Sequence, residues 1–359
     1  MKWGLVAVLL AFGAGAHAKD EPFGQETVEV RPWRNPPRPG SRPAHSHKHG
    51  HRHRDGEGGH KHAHAHSHAH RPGHADGHRH GSSEPQGHDH KNGHHHHGIE
   101  TEHLFGFTTG TDIDPAGAKH LIADLDGRFA KQGGSYAALS QRFEYAFTPW
   151  QDFHVGLSAS FAAHSISGVE GLDDRRSAAF EGFGIELRQR LLDRAQAPFG
   201  LAIVAEPHWA RLDEVSGDPA TKFAIEFTVA ADRELIKDKL FGAMNLIYEP
   251  EWVRVTATGQ TERESTLGVS LAAMTQVMPS VFLGGELRYL RKYEGAALNS
   301  FAGEAVFLGP ALFINVNDRL AVAAALSTQI AGRPAGGSAA LDLENFERHR
   351  AKLKAIVNF

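Results

Sequence analysis

From about residue 119 to the C-terminus, apolar and polar residues alternate with a period of two. Phe153, Val155, Leu157, Ala159, Phe161 and Ala163 interleave with Asp152, His154, Gly156, Ser158, Ser160 and His164. The same rule fits Leu121, Ala123, Leu125, Gly127 and Phe129 against Asp124, Asp126 and Arg128. It fits Phe223, Ile225, Phe227 and Val229 against Glu226, Thr228 and Asp232, and Val281, Leu283, Leu287 and Tyr289 against Glu286 and Arg288. Successive side chains of a strand point to opposite faces, so each run predicts a strand with one apolar and one polar face. A soluble sandwich alternates in the same way. A transmembrane barrel does so with lipid on the apolar side and a wet lumen on the other.

The connections separate these two cases. They run short at Lys131–Gly134, tight at Thr148–Gln151, long at His164–Arg176, tight at Asp193–Ala197 and long at Leu212–Ala220. Later come Lys292–Ser300, a turn at Asn317-Asp318 and the Gly-rich Gly332–Asp342. Tight turns at one end and longer loops at the other, with an even strand count, are the layout of outer-membrane barrels. Twelve strands are predicted, starting near residues 119, 135, 152, 177, 198, 221, 239, 261, 280, 300, 319 and 344. The expected fold class is all-β, an antiparallel transmembrane β-barrel. With an even count both chain ends lie on the periplasmic side.

The two ends of the chain fit export. Met1-Lys2, the apolar Leu5–Phe12 and Ala16-His17-Ala18 read as a secretory signal peptide over residues 1–18. No later stretch has the eighteen or so apolar residues that a membrane helix needs. At the other end, Ala351, Leu353, Ala355, Val357 and Phe359 alternate with Arg350, Lys352, Lys354, Ile356 and Asn358. This resembles the last strand of bacterial outer-membrane barrels, whose terminal aromatic residue is read by the barrel assembly machinery. That machinery and outer-membrane lipid are therefore expected partners.

Residues 19–98 have a different composition and are expected to be disordered. Pro32, Pro36, Pro37, Pro39 and Pro43 precede a tract with too little apolar surface to offset ordering entropy. That tract holds twenty of the chain's 27 histidines. They are His45, His47, His49, His51, His53, His60, His62, His64, His66, His68, His70, His74, His78, His80, His88, His90, His94, His95, His96 and His97. In extended chain, residues two apart point the same way at roughly 7 Å, so a flexible segment can wrap several imidazoles around one ion. Neutral imidazole suits zinc, nickel, cobalt, copper and iron. The redundancy of ligands points to several exchangeable divalent transition-metal ions rather than one closed site. A second reading remains open. Residues 31–98 carry 11 Lys+Arg against 5 Asp+Glu, and a cationic tract also binds anionic surface polymers or a partner.

Cysteine is absent, so there is no disulfide framework and any metal is held by nitrogen and oxygen. Residues 99–359 carry 25 Lys+Arg against 33 Asp+Glu, which argues against nucleic acid as a partner for the body. The segment Glu100-Thr-Glu-His-Leu-Phe-Gly-Phe-Thr-Thr-Gly-Thr-Asp112 resembles the opening of a family of uncharacterised bacterial exported proteins expected to form barrels. The likeness continues through Gly133-Gly134-Ser135-Tyr136. The resemblance implies location and fold and brings no activity with it. Residues 99–118 then read as a lead-in or plug ahead of a barrel over 119–359. Within them Glu102 and His103 are either metal ligands or satisfied polar groups.

Lumen-facing polar residues suggest two further arrangements. His164, Glu206 and His208 fall toward the outer end of strands two apart, either as a His/Glu/His site for an incoming metal ion or as the lining of a wet pore. Ser158 and Ser160 share a barrel with His154 and His164, but His154 and Ser160 stand about 20 Å apart along a strand. No G-x-S-x-G or H-E-x-x-H motif occurs. The chain is therefore expected not to be an enzyme. The expected function is handling of zinc, nickel or cobalt at the bacterial outer membrane, by passive transport or by sequestration, with the histidine tract in the periplasm.

Overall fold

The computed structural model describes residues 99–359; the signal segment and the histidine tract lie outside the described residues. Twelve strands follow in order: β1 (Lys119–Phe129), β2 (Ser135–Trp150), β3 (Phe153–Ser167), β4 (Arg175–Leu192), β5 (Gly200–Leu212) and β6 (Pro219–Ile236). The second half comprises β7 (Leu240–Val255), β8 (Thr261–Met278), β9 (Val281–Glu294), β10 (Ser300–Asn317), β11 (Leu320–Pro334) and β12 (His349–Asn358). Each strand pairs antiparallel with its sequence neighbours, and β1 pairs with β12, so the sheet closes into a barrel. The closing seam runs from His120 opposite Asn358 to Phe129 opposite His349. Closure leaves no unpaired edge, the condition for a sheet to sit in hydrocarbon.

The alternation sorts the side chains as the sequence requires. Leu121, Phe143, Leu157, Phe161, Phe183, Ile203, Phe227, Leu246, Leu271, Leu283 and Leu353 are exposed on the outside. Such a girdle of large apolar side chains would be untenable in water and is the surface of an outer-membrane barrel. Aromatic residues mark its two rims. Trp150 stacks on Phe153 at the tight-turn end, and Phe223 lies between Trp209 and Trp252 at the other. Phe199 and Trp209 are ten residues apart, which is about 33 Å along the strand and roughly 25 Å along the axis at a tilt of about 40°. That height matches the apolar band of such barrels.

Turn chemistry fixes the tight end. Asp152 and Asp238 take left-handed backbone (φ 65 and 54) in the turns before β3 and β7, a conformation Asp tolerates better than most residues. The opposite end departs from the sequence reading in two places. The loop expected over His164–Arg176 spans only residues 168–174, because β3 stays paired with β4 as far as Ile166 opposite Arg175. The last strand starts at His349 rather than near residue 344. The reason is local: Asn345 donates to Asp342, and Phe346 packs edge-on against Phe307, turning this part of the loop inward.

Candidate functional site

The chain between Thr101 and Asp112 is a loop inside the barrel. Its neck is tied by Thr101, whose backbone N–H donates to Asp112 Oδ2 at 2.8 Å and whose hydroxyl donates to Asp232 on β6. The wall's backbone groups are engaged largely in its own ladder, so wall side chains receive the inner chain. Glu286 on β9 accepts the backbone N–H groups of Gly106 (2.5 Å), Phe107 (2.8 Å) and Thr108 (3.2 Å). Asn245 on β7 exchanges two bonds with the Thr109 backbone, at 2.8 and 2.9 Å. Asp232 takes the Thr111 N–H and hydroxyl, at 3.1 and 2.6 Å. Arg188 on β4 donates to Gly110 O at 3.2 Å.

Packing completes the seat. Leu104 and Phe105 are fully buried against Phe241, Met274, Phe282 and Phe313 near the tight-turn end. Two such side chains contribute on the order of 3–6 kcal/mol by burial. Glycine permits the approach: a Cβ on Gly106 would lie 2.2 Å from Ala325 Cβ. The Phe107 ring receives the Arg288 guanidinium 3.9 Å from its centre, with Arg350 and Lys352 beyond 5 Å on the same ring.

Beyond this floor a cavity of about 410 Å³ extends toward the outer loops. Its two sides differ in charge. Strands β4–β7 contribute Glu181, Glu186, Glu206, Glu226, Glu249 and Glu251 against Arg188 and Lys222. From across the ring, β9 and β12 contribute Arg288, Lys292, Arg350, Lys352 and Lys354. Glu206 and Glu226 face each other in register, an unfavourable pairing unless a cation is near. Asp126 and Asp124 on β1 pair with Arg350 and Lys352, and Glu264 on β8 with Lys292, so much of the basic side is neutralised and the excess charge facing the cavity is acidic.

Ion pairs hold the outer half of the lumen together. Arg128 meets Glu214 of the β5–β6 loop at 2.9 Å, Lys222 meets Glu251 at 2.6 Å, and Arg350 meets Asp126 across the seam at 2.9 Å. Burial alone would push the Glu214 carboxyl up, but Arg128 and Lys222 hold it well below the usual carboxylate range. In the β1–β2 loop, burial lowers the Lys131 amine to about 8.

A second group sits low in the lumen, beside the inner loop. His120 and His154 are the second residues of β1 and β3, both of which start at the tight-turn end, and their rings lie 5.2 Å apart. The His103 ring meets His120 edge-on at 5.4 Å. Glu102 Oε1 is 3.7 Å from His154 Nδ1 and 3.9 Å from His103 Nε2. Asp114 Oδ2 stands 3.2 Å from His120 Nδ1, and Glu186 Oε1 stands 3.8 Å from His154 Nε2.

The sequence-derived candidates fare unequally. All twenty tract histidines lie outside the described residues. His164, Glu206 and His208 do not form one ligand set, because each has another partner. His164 Nε2 is 3.2 Å from Glu214 O, Glu206 is paired with Arg142, and His208 Nε2 faces Glu249 at 3.7 Å. Glu102 and His103 are brought together, but with His120 and His154, which the sequence reading did not connect to them.

Solved structures with a similar fold include an outer membrane channel from Pseudomonas putida F1, at 13% identity and TM-score 0.48, covering 69% of this chain and 98% of that one. The NanC porin is similar at 9% identity and TM-score 0.40, covering 66% and 100%. The translocator domain of the autotransporter NalP from Neisseria meningitidis is similar at 12% identity and TM-score 0.41, covering 69% and 91%. No curated protein sequence matches the chain. A family profile does match, over residues 97–359, which takes in the inner loop and every barrel strand. The chain accordingly belongs to DUF6662, a family of unknown function.

Proposed function

We propose that this protein is a plugged outer-membrane channel that handles divalent transition-metal ions, zinc, nickel or cobalt, without an energy source of its own. The observation that carries the reading is the cavity lined by carboxylates on one side and bases on the other, closed at the tight-turn end by the loop Thr101–Asp112. That loop follows directly on the histidine tract, His97 being five residues before Glu102. In this reading the tract gathers ions by mass action on the periplasmic side, and the acidic wall of Glu226 and Glu249 forms the cation path. The loop sets when the path is open.

The test is zinc and nickel uptake into dye-loaded liposomes, comparing the mature chain with one in which the tract histidines are replaced by glutamine. Tract-dependent uptake at low metal concentration supports capture and passage. Metal bound by the unsubstituted chain with no uptake by either form removes transport and leaves a membrane-anchored chelator.

A further inference from the structure

The inner loop and the first barrel strand place Glu102, His103 and His120 so that one ligand atom from each lies within 4.8 Å of the other two. Glu102 Oε1, His103 Nε2 and His120 Nε2 are buried without a hydrogen-bond partner. Buried polar atoms are nearly always satisfied, and leaving several unsatisfied in one place is costly. One common partner would satisfy all three residues at once. Two imidazoles and one carboxylate are a nitrogen and oxygen set that zinc accepts, with nickel and cobalt close behind.

The charged neighbours are mixed: Lys354 and Arg188 face His103, while Asp114 and Glu144 face His120. Asp114 Oδ2 stands behind one ring nitrogen of His120 at 3.2 Å; a carboxylate in that position fixes the tautomer and leaves the other nitrogen for a metal. Ligand atoms around a tetrahedral zinc are about 3.3 Å apart, given Zn–N near 2.0–2.1 Å. The set therefore closes with movements of roughly 1.5 Å or less, which the loop-borne Glu102 and His103 can make by side-chain rotation. His154, 3.7 Å from the same Glu102 oxygen, is the fourth donor within reach. The competing set of Glu102, His154 and Glu186 is weaker, because Arg188 Nε already donates to Glu186 Oε1 at 3.1 Å. Arg188 also lies 3.9 Å from Glu102 Oε1, beyond hydrogen-bond length, and has Gly110 O as its own partner.

We infer that Glu102, His103 and His120 form a site for one divalent transition-metal ion, zinc by its donor set, which clasps the inner loop to β1. The ion joins two residues of the loop to one of the wall, so its binding and the seating of the loop are one equilibrium. The inference deepens the metal-handling reading and rests on it for the class of ion, while its geometry stands on these three residues. It also separates two populations of metal: exchangeable ions on the tract and a single ion in the barrel wall.

The experiment uses the full mature chain in detergent, with the twenty tract histidines replaced by glutamine so that tract ions do not mask the barrel. Cobalt is titrated and followed by its ligand-field absorption, and zinc is counted after dialysis. One ion per chain is expected. Binding should weaken by at least about 100-fold in His103→Gln and in His120→Gln, and by about 10–100-fold in Asp114→Asn, the usual size for a residue that orients a ligand. His208→Gln, elsewhere in the lumen, should leave it unchanged. Far-UV circular dichroism checks that each variant keeps its barrel, and Glu102→Gln, nearly isosteric, serves if a histidine variant fails to fold. Added zinc should also slow amide exchange in residues 101–112 of the parent and not of His103→Gln. A tract-substituted chain that binds no ion, or variants that bind as tightly as their parent, would overturn the clasp. Tract-dependent liposome uptake would still stand in that case, so the two readings fail separately.

Discussion

Removing one wall carboxylate should open the barrel. Glu286 is the receptor for three consecutive backbone N–H groups of the inner loop, at 2.5, 2.8 and 3.2 Å, and is itself buried. Hydrogen bonds to a charged acceptor contribute about 1.5–3 kcal/mol each, and a buried donor left alone costs about 1–3 kcal/mol. The Glu286→Ala variant loses all three acceptor contacts. Water entering from the cavity can rescue part of the loss, so the net effect on seating is set at about 3 kcal/mol. At about 1.4 kcal/mol per tenfold, this shifts the seated-to-released ratio by roughly 150-fold. Planar-bilayer recording should therefore show a rise of about two orders of magnitude in open probability. Glu286→Gln, which keeps one acceptor oxygen, should fall between it and the parent. Amide exchange of residues 104–109 should rise in parallel while the thermal transition of the barrel stays in place. An unchanged open probability together with unchanged exchange in Glu286→Ala would refute the account of how the loop is held.

Three other expectations follow from different parts of the molecule. Gly106→Val puts a branched side chain where even a Cβ would lie 2.2 Å from Ala325 Cβ; it should release the loop with all three Glu286 acceptor contacts chemically intact, and a conductance equal to the parent's would contradict the close packing. Lys131, lowered to about 8 by burial, is roughly half unprotonated at pH 8, so mass spectrometry after brief acylation should find it modified ahead of other lysines. Its folded pKa lies below the unfolded value, so the cost of its buried charge is fully present below about 8 and is relieved as pH rises toward the unfolded value near 10.4; Lys131→Met should raise stability at pH 7, and a drop in melting temperature would count against it. Metal retention by the mature chain should fall as pH drops below 6, because protons compete for imidazole; binding to anionic polymers that strengthens over the same range, with no metal retained at pH 7, would favour the cationic-surface reading of the tract.

The barrel was legible because period-two alternation is a direct consequence of one lipid face and one wet face. Eleven strands begin within two residues of where that pattern places them, from Lys119 to Leu320. The exception, β12, is instructive: Asp342 and Phe346 carry no alternation because they serve the lumen, bonding Asn345 and packing on Phe307. The candidate metal ligands were half legible. Glu102 and His103 stand next to each other and invite the question. His120 and His154 are single polar residues in two different strands, and only the closed topology, which puts the starts of β1 and β3 at one end, makes them neighbours of the loop. The signal available in advance was parity and depth: each is the second residue of an odd-numbered strand, on its inward face. His164, Glu206 and His208 line the lumen, the second of the two readings open for them, and they form no metal site for the opposite reason. Correct parity did not reveal that Arg142, Glu214 and Glu249 would engage them first.

A closed barrel spends most of its wall N–H and carbonyl groups on its own ladder, so a chain threaded inside cannot be added as another strand. It can be held only by side chains, and here a few of them do it: Glu286, Asn245 and Asp232 receive a loop rich in glycine and threonine. The consequence is thermodynamic. A thirteenth strand would be bound by a full row of backbone bonds and would leave only with the fold, whereas this loop is bound by a handful of polar contacts and the burial of Leu104 and Phe105. Ordering about a dozen residues opposes those terms, so a single additional ligand weighs against any one of them. An ion shared by His103 and His120 adds RT ln(1 + [L]/Kd) to the seated state, about 2.7 kcal/mol at one hundred times Kd. That is comparable to the loss worked out for Glu286→Ala and opposite in sign. Saturating zinc should therefore restore much of the closure that Glu286→Ala removes, and should restore none of it when His103→Gln is added. A bilayer recording of the two variants with and without zinc reads this directly, and equal zinc responses in both would break the link between the ion and the loop.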